Sequence, residues 1–513
     1  MSLLDKATLI TTPTAHSNGT LHSIKGGAVA DFDVVRGSAA TRVNAEGLIE
    51  DISILSGELV TNGDFSNGST DWVLASEWSV VNNQATTLGV SLTSIRQTVL
   101  VNGTNRLTFD VVEGGAIVYT NYPIFSIKAT FSTVGTHTID LLSDGVGTNQ
   151  LLYIYNNGAG NGATIDNVSV VEVTDATNIP RIDYTTGEGV VLLEPQSTNL
   201  VVNSEPTAND GTASDILYEN FNWAIGFTNC VKYGDNSTLR WRYGGTVSAS
   251  TEYTLSAFVI MDDLSEPIIG GQTSDKDFTF VLGGGVFSTA NPSVNMGNNI
   301  WRVSVTAITS ASPNAGNNGI IKYTEQSNKG FRVVGYQLEA LPYATSYIPT
   351  SGAIATRLAD SVTGAGDAST LNSTEGVLYF EGSALANDGT SRQVSLSSGS
   401  SATDKVSINY STTSNQLQAF VRAGGSISFN VSEVLSNIAN NNKIALKYKA
   451  NDFALWVNGI EVATNTSGNA PTGLNVLDFD DADGGSDFYG KVKALAVFNE
   501  ALTDSELECL TKI

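Results

Sequence analysis

Short apolar runs alternate with polar, turn-forming stretches along the whole chain, and within the runs the period is two. The stretch DFALWVNGIEVA at 452–463 shows this most clearly. Strand side chains point alternately to opposite faces, so Phe453, Leu455 and Val457 share one face while Ala454 and Trp456 share the other. Asn458-Gly459 accepts the positive φ angles of a two-residue turn, which predicts a hairpin. The run at 488–498 predicts a further strand. Thr503, with Glu506 three residues on, is a capping-box pattern, and Leu502 and Leu507 occupy staple positions, so a short helix closes the chain. Upstream, residues 106–112, 151–155, 299–306 and 330–339 read as strands. Helical patterning is scarce; residues 433–438, with Ser432 as a cap, form one further short candidate. The two prolines within 340–350 predict an extended linker.

This pattern predicts an all-β chain of tandem antiparallel sandwiches, each burying one face per sheet. With 513 residues there is enough chain for three or four cores. Composition agrees: charged residues are only 15% and glycines number 50, as a turn-rich β protein requires. The formal net charge is −25. Such a surface repels phosphate backbones and anionic lipids, which disfavours nucleic-acid and membrane-surface roles. The two cysteines, Cys230 and Cys509, read as buried free thiols in separate domains, with no disulfide framework. The first ten residues lack the apolar core of a secretion signal, and no apolar run is long enough to span a bilayer, so the expected site of synthesis is a cytoplasm.

Longer motifs resemble three known families. RGSAATRVNAEGLIE at 36–50 and IPRIDYTTGEGVVLLEPQSTNL at 179–200 resemble a leader found near the start of bacteriophage virion fibre proteins, and ATSYIPT at 344–350 resembles the exit of their modules. In those proteins the two leader blocks are close together, so the intervening residues imply an inserted domain. The insert opens NGDFSNGSTDW at 62–72 and closes IDNVSV at 165–170, which resembles a jelly-roll carbohydrate-binding module. WVNG, FYGKVKALAVF and ALTDSEL near the end resemble the laminin-G/concanavalin A-like sandwich. The implied organisation is an extended N-terminal attachment segment at 1–56, continuing at 175–194. An inserted jelly-roll module follows at 57–174, a second at 195–350, and the laminin-G/concanavalin A-like sandwich at 351–513.

Catalytic signatures are absent. There are three histidines, His16, His22 and His137, and no nucleophile elbow, phosphate-binding loop or HExxH helix. Glycoside hydrolysis needs only two carboxylates, but the ExDxxE strand of concanavalin A-like glucanases is missing, and the expectation is a non-enzyme. Glycan binding is the sharper reading, since such modules stack aromatic rings on sugar faces and add a few polar contacts. Candidates are Trp72, Trp78, Tyr119 and Tyr122, with Tyr153 and Tyr155, in the insert. In the second module they are Trp223, Arg240, Trp241 and Tyr243, with Tyr253. Trp301 and Trp456 read as core. No cofactor is required, but the resemblance implies a structural calcium held by Asn62, Asp64 and Asp166. The acidic turn at 478–487, with Asp478 and Asp480, is either a second ion site or a solvated turn. The resemblance further implies a virion protein, a homotrimer, attached to capsid or tail proteins through its N-terminal segment and adhering to bacterial surface polysaccharide. The alternatives are a purely structural decoration and a capsule-degrading glycosidase.

Overall fold

The computed structural model describes residues 3–17, 19–52, 56–158, 162–174, 177–206, 216–221, 223–234, 239–242, 245–287, 289–399 and 403–513. The regular secondary structure is almost entirely strand, arranged as antiparallel sheets. It divides into two compact units: one of Met1–Asp51 and Thr177–Ile513, the other of Ile52–Ala176.

The unit Ile52–Ala176 is two five-stranded sheets face to face. One has the order Gly135–Asp144, Asn102–Gly114, Ala163–Val173, Gln84–Thr87, Trp78–Val81. The other runs Ser126–Phe131, Ala116–Thr120, Leu151–Asn156, Ser94–Thr98, Val73–Leu74. Alternation places Leu107, Phe109, Val111, Val118, Leu152, Ile154 and Ile165 in the core between the sheets.

The larger unit contains two further sandwiches. A six-stranded sheet, with Glu252–Met261 between Phe331–Glu339 and Trp301–Ile308, faces a four-stranded one containing Thr279–Leu282. The C-terminal sandwich packs an eleven-stranded sheet on a five-stranded one. Its hairpin is formed as patterned: Asn458 has φ 51° and Gly459 φ 83°, and Val457 pairs with Ile460. Phe453, Leu455 and Val457 enter the inter-sheet core, while Ala454 and Trp456 lie under the terminal helix Asp504–Thr511 with Leu502 and Leu507. The second helix candidate is not one: its first residues end the strand Ser426–Val434, whose Phe429 packs in the same core. There the strand pairing to Gln416–Ala423 overrides weak local helix signals.

The N-terminal stretch is not a free-standing extended arm. Ala7–Ser17 pairs with Gly490–Phe498, and Leu9, Leu21, Phe32 and Val34 are part of the C-terminal sandwich core. Val190–Leu193, buried at every position, pairs with the same last strand. A strand buried on both faces reads as a continuous apolar run, and this one finds its partner some three hundred residues away.

The motif blocks at 36–50 and 179–200 and the stretch 344–360 converge on a buried ion network. Arg36 meets Asp360 at 2.8 Å, Arg181 meets Glu194 at 2.5 Å and also Asp360, and Arg357 meets Glu194 at 2.9 Å. These side chains are at most 3% exposed. Ser346 adds a hydroxyl donated to Glu194 at 2.7 Å. The arginines and acids of these motifs are thus spent on holding the leader, the linker and the last two sandwiches together.

Of the two thiols, Cys230 is buried in the second sandwich and burial pushes it up to about 12. Cys509 is exposed on the terminal helix, contrary to the expectation that both are buried, because position 509 falls on that short helix's solvent face.

Candidate functional site

Large aromatics tend to go inside, and four of the candidates do so, Trp72, Trp78, Trp223 and Tyr253. Trp72 is 6% exposed, stacks obliquely on Phe65 at 5.3 Å and donates its indole N–H to the Asn62 carbonyl. Trp78 is buried in the same core, and Trp223 packs edge-on against Phe221 and Phe227. None of the three offers a ring face to a ligand. Tyr253 is likewise buried. Arg240 and Trp241 lie in the strand Leu239–Arg242, paired with Gly319–Lys322. Tyr243 lies outside the described residues.

Tyr119 behaves differently. On the outer face of the second five-stranded sheet of Ile52–Ala176, strand register sets side chains from five strands in one row. Val73 lies opposite Arg96, Arg96 opposite Tyr153, Tyr153 opposite Tyr119, and Tyr119 opposite Ile127. Alternation explains the row, because Ile95, Ile154 and Val118 beside these residues point into the core. Tyr155, two positions from Tyr153, lies on the same face.

The rings touch. Tyr119 stacks on Phe125 with centroids 5.1 Å apart and meets Tyr155 at 4.8 Å. Phe125 meets Tyr153 edge-on at 5.4 Å, and Arg96 sits 5.7 Å from the Tyr153 ring. Phe125, Ile127 and Val73 are 52%, 53% and 55% exposed. No hydrogen bond links the hydroxyls of Tyr119, Tyr153 or Tyr155 to a described residue, whereas buried tyrosines usually find one. Tyr122 borders the platform, its carbonyl accepting from the Lys128 ammonium at 2.8 Å.

Such a surface can stack the apolar face of a flat or chair-shaped ring while Arg96 and three phenols supply polar contacts. Sequence reading named Tyr119, Tyr153 and Tyr155 and missed Phe125 and Arg96. The available signal for Phe125 was an apolar pair, Ile124-Phe125, directly after Pro123 in a turn; for Arg96 it was a charge at the centre of a strand.

The residues named for calcium are occupied by hydrogen bonds within the protein. The Asn62 side chain donates to the carbonyls of Gly68 and Thr70 and accepts from the Asn67 N–H. Asp64 accepts from the N–H and hydroxyl of Ser66, which hold it below the usual carboxylate range. Asp166 accepts from the Asn167 N–H and from Gln84, and burial, with smaller contributions from Asp110 and Asp64, raises it. Asp478 accepts from the Gly364 N–H and Asp480 from the Ala482 N–H; burial raises both, Asp480 to about 6. Among the described residues no three His, Cys, Asp or Glu side chains converge as a metal-holding group.

No family model and no curated protein matches the chain. Solved structures do. The chain is similar to the CBM40 of the Ruminococcus gnavus IT-sialidase at 16% identity, over 29% of this chain and 93% of that one, with a TM-score of 0.24. It is also similar to domain 4 of AbnA, a GH43 extracellular arabinanase from Geobacillus stearothermophilus, in complex with arabinotriose. There identity is 12%, over 33% of this chain and 82% of that one, with a TM-score of 0.25. A SAP-like pentraxin from Limulus polyphemus matches at 15% identity, over 26% and 68%, with a TM-score of 0.22. Carbohydrate-binding modules thus stand among the neighbours, and the likeness concerns sandwich geometry alone.

Proposed function

We propose that this protein is an adhesive component of a virion fibre or head decoration that holds bacterial surface glycans through lectin-like modules. The observation that carries the glycan part is the Tyr119–Phe125–Tyr153–Tyr155 platform, its tyrosines half-buried and Phe125 exposed, with Arg96 at its edge. Aromatic rings partly open on a sheet face, with hydroxyls that bond no described residue, suit sugar stacking. The virion setting rests on the motif resemblance at 36–50, 179–200 and 344–350, and with it come homotrimeric assembly and capsid or tail partners. Weak single sites multiplied by assembly gain affinity through effective concentration, by about 10²–10⁴. No enzymatic step and no cofactor belong to this reading; a calcium ion near Asp64 and Asp166 would act only as a stabiliser of the opening loop.

The test presents the purified full chain to a panel of neutral capsular and exopolysaccharides, scoring retention and new reducing ends together, with and without a calcium chelator. Retention without cleavage is expected, and Tyr119→Ala with Tyr153→Ala abolishes it while leaving the unfolding temperature within a few degrees. Each stacked ring removed costs about 0.5–1.5 kcal/mol beyond area burial. New reducing ends, or retention untouched by the double substitution, defeat the proposal. Loss of retention in chelator assigns the ion a stabilising role.

A further inference from the structure

A cleft of about 780 Å³ opens in the larger unit, between the six-stranded sheet of the second sandwich and the last strands of the C-terminal one. Most of its charges are already matched. Arg42 pairs with Glu50 at 2.9 Å, Lys491 with Asp183 at 3.8 Å, and Lys493 with Glu188 at 2.7 Å. Glu194 is consumed by Arg181 and Arg357. Arg302, on the strand Trp301–Ile308, is different. Among the described residues no carboxylate lies within ion-pair distance of it.

Arg302 is held instead by neutral neighbours. Its guanidinium sits 5.4 Å from the Phe258 ring centroid and donates to the Ser256 hydroxyl at 3.3 Å. Its Nε is buried without an acceptor. Burial lowers its pKa by more than the nearby Glu339, Glu194 and Asp183 raise it. Glu339 is itself taken up by Ser197 at 2.6 Å and by the Thr345 N–H at 3.0 Å. An unneutralised, desolvated guanidinium is costly, and a planar carboxylate is the partner its fork fits best.

We propose that this cleft binds a carboxylate-bearing saccharide, a uronic or nonulosonic acid residue, with Arg302 clasping the carboxylate. The volume suits a ligand of small-oligosaccharide size, since ligand pockets run from about 300 to 1,000 Å³. Tyr343 in the wall supplies a ring face, and Asn291, whose amide nitrogen is bonded to Ser304 and Thr306, keeps its carbonyl oxygen for a sugar hydroxyl. This site shares no residue with the aromatic platform, so the two stand or fall separately.

The test is calorimetric titration of the full chain with trigalacturonic acid and with N-acetylneuraminic acid. Controls are the carboxyl-reduced trisaccharide and inorganic phosphate. At least one acidic probe binds, the reduced sugar binds more weakly by about tenfold or more, as loss of a charge-assisted pair implies, and phosphate, which keeps the charge but lacks the ring and hydroxyl contacts, binds more weakly too. Arg302→Gln weakens the acidic probe by a similar factor, and Arg302→Lys by less. If Arg302→Gln lowers the unfolding temperature markedly, the comparison of acidic with reduced sugar on the unaltered chain decides. Equal binding of acidic and reduced sugar, binding indifferent to Arg302, displacement by phosphate as effective as by sugar, or no binding of either acidic probe overturns the proposal.

Discussion

Glu194 shows how much one side chain can carry in this protein. It is 2% exposed and lies between Arg181 and Arg357, with Ser346 donating to it. Desolvation opposes its charge, but the two arginines and the Ser346 hydroxyl outweigh that and hold the carboxyl well below its ordinary value of 4.5. A depressed folded pKa means that the unfolded chain takes up the proton first as pH falls. The stabilisation is therefore complete above about pH 4.5 and drains away below it as pH falls towards the folded pKa. Glu194→Gln leaves two buried guanidiniums short of a partner and should cost about 3–5 kcal/mol at pH 7. Denaturant unfolding at pH 7 and pH 3 checks this: the gap between native and variant chain should narrow at the lower pH. A gap that stays constant, or widens, means that the arginines find other partners. The same residue explains why its motif stands out in the sequence. A strict requirement for Arg, Glu and Asp at buried positions looks, in one dimension, much like a requirement for binding.

At the scale of elements, local chemistry was legible and long-range pairing was not. The Asn458-Gly459 turn and the Thr503–Glu506 cap depend on neighbours within three residues, and both are present: the Thr503 N–H and hydroxyl each donate to the Glu506 carboxylate at 2.9 Å. Lys6, at 2.7 Å, is the main cause of the Glu506 pKa falling to about 2, with Thr503 second. The helix they start covers Ala454 and Trp456. Thr503→Ala should cost about 1 kcal/mol and raise hydrogen exchange across 504–511 first; exchange that stays slow there would show that Leu507 packing alone holds the helix. The platform illustrates the other case. Tyr119, Tyr153 and Arg96 sit on different strands, and only the register of Ala116–Thr120, Leu151–Asn156 and Ser94–Thr98 makes them one surface. Burial of Trp78 was equally illegible, because alternation says that two faces differ and not which one is wet, and Trp72 and Trp223 lie outside any strand, where no alternation guides the reading.

Across the whole molecule, the two ends of the chain differ from its inserted unit in a way that deletion can read. Residues 1–35 cover the last strand and supply Leu9, Leu21, Phe32 and Val34 to a core otherwise made from residues beyond 180. Without them, Gly490–Phe498 loses a strand neighbour and several fully buried side chains, each worth about 1.5–3 kcal/mol when buried. For the four named side chains that is about 6–12 kcal/mol, comparable with the whole 5–15 kcal/mol by which a domain is ordinarily stable. Deleting 1–35 should therefore abolish cooperative unfolding of the C-terminal sandwich, although a detachable anchoring arm would leave it untouched. Ile52–Ala176 has the opposite character. Its cluster of Phe65, Trp72, Leu107, Phe109, Ile154 and their neighbours is self-contained, and among the described residues no other hydrophobic cluster draws on it. Replacing 56–174 by a short glycine-serine linker should leave a folded remainder, seen as one retained calorimetric transition and a monodisperse elution profile. The same deletion separates the two binding proposals. Retention on neutral glycans should vanish with the platform, and binding of the acidic trisaccharide at Arg302 should persist. Neutral-glycan retention that survives the deletion would move adhesion away from Tyr119 and its neighbours to a surface of the larger unit.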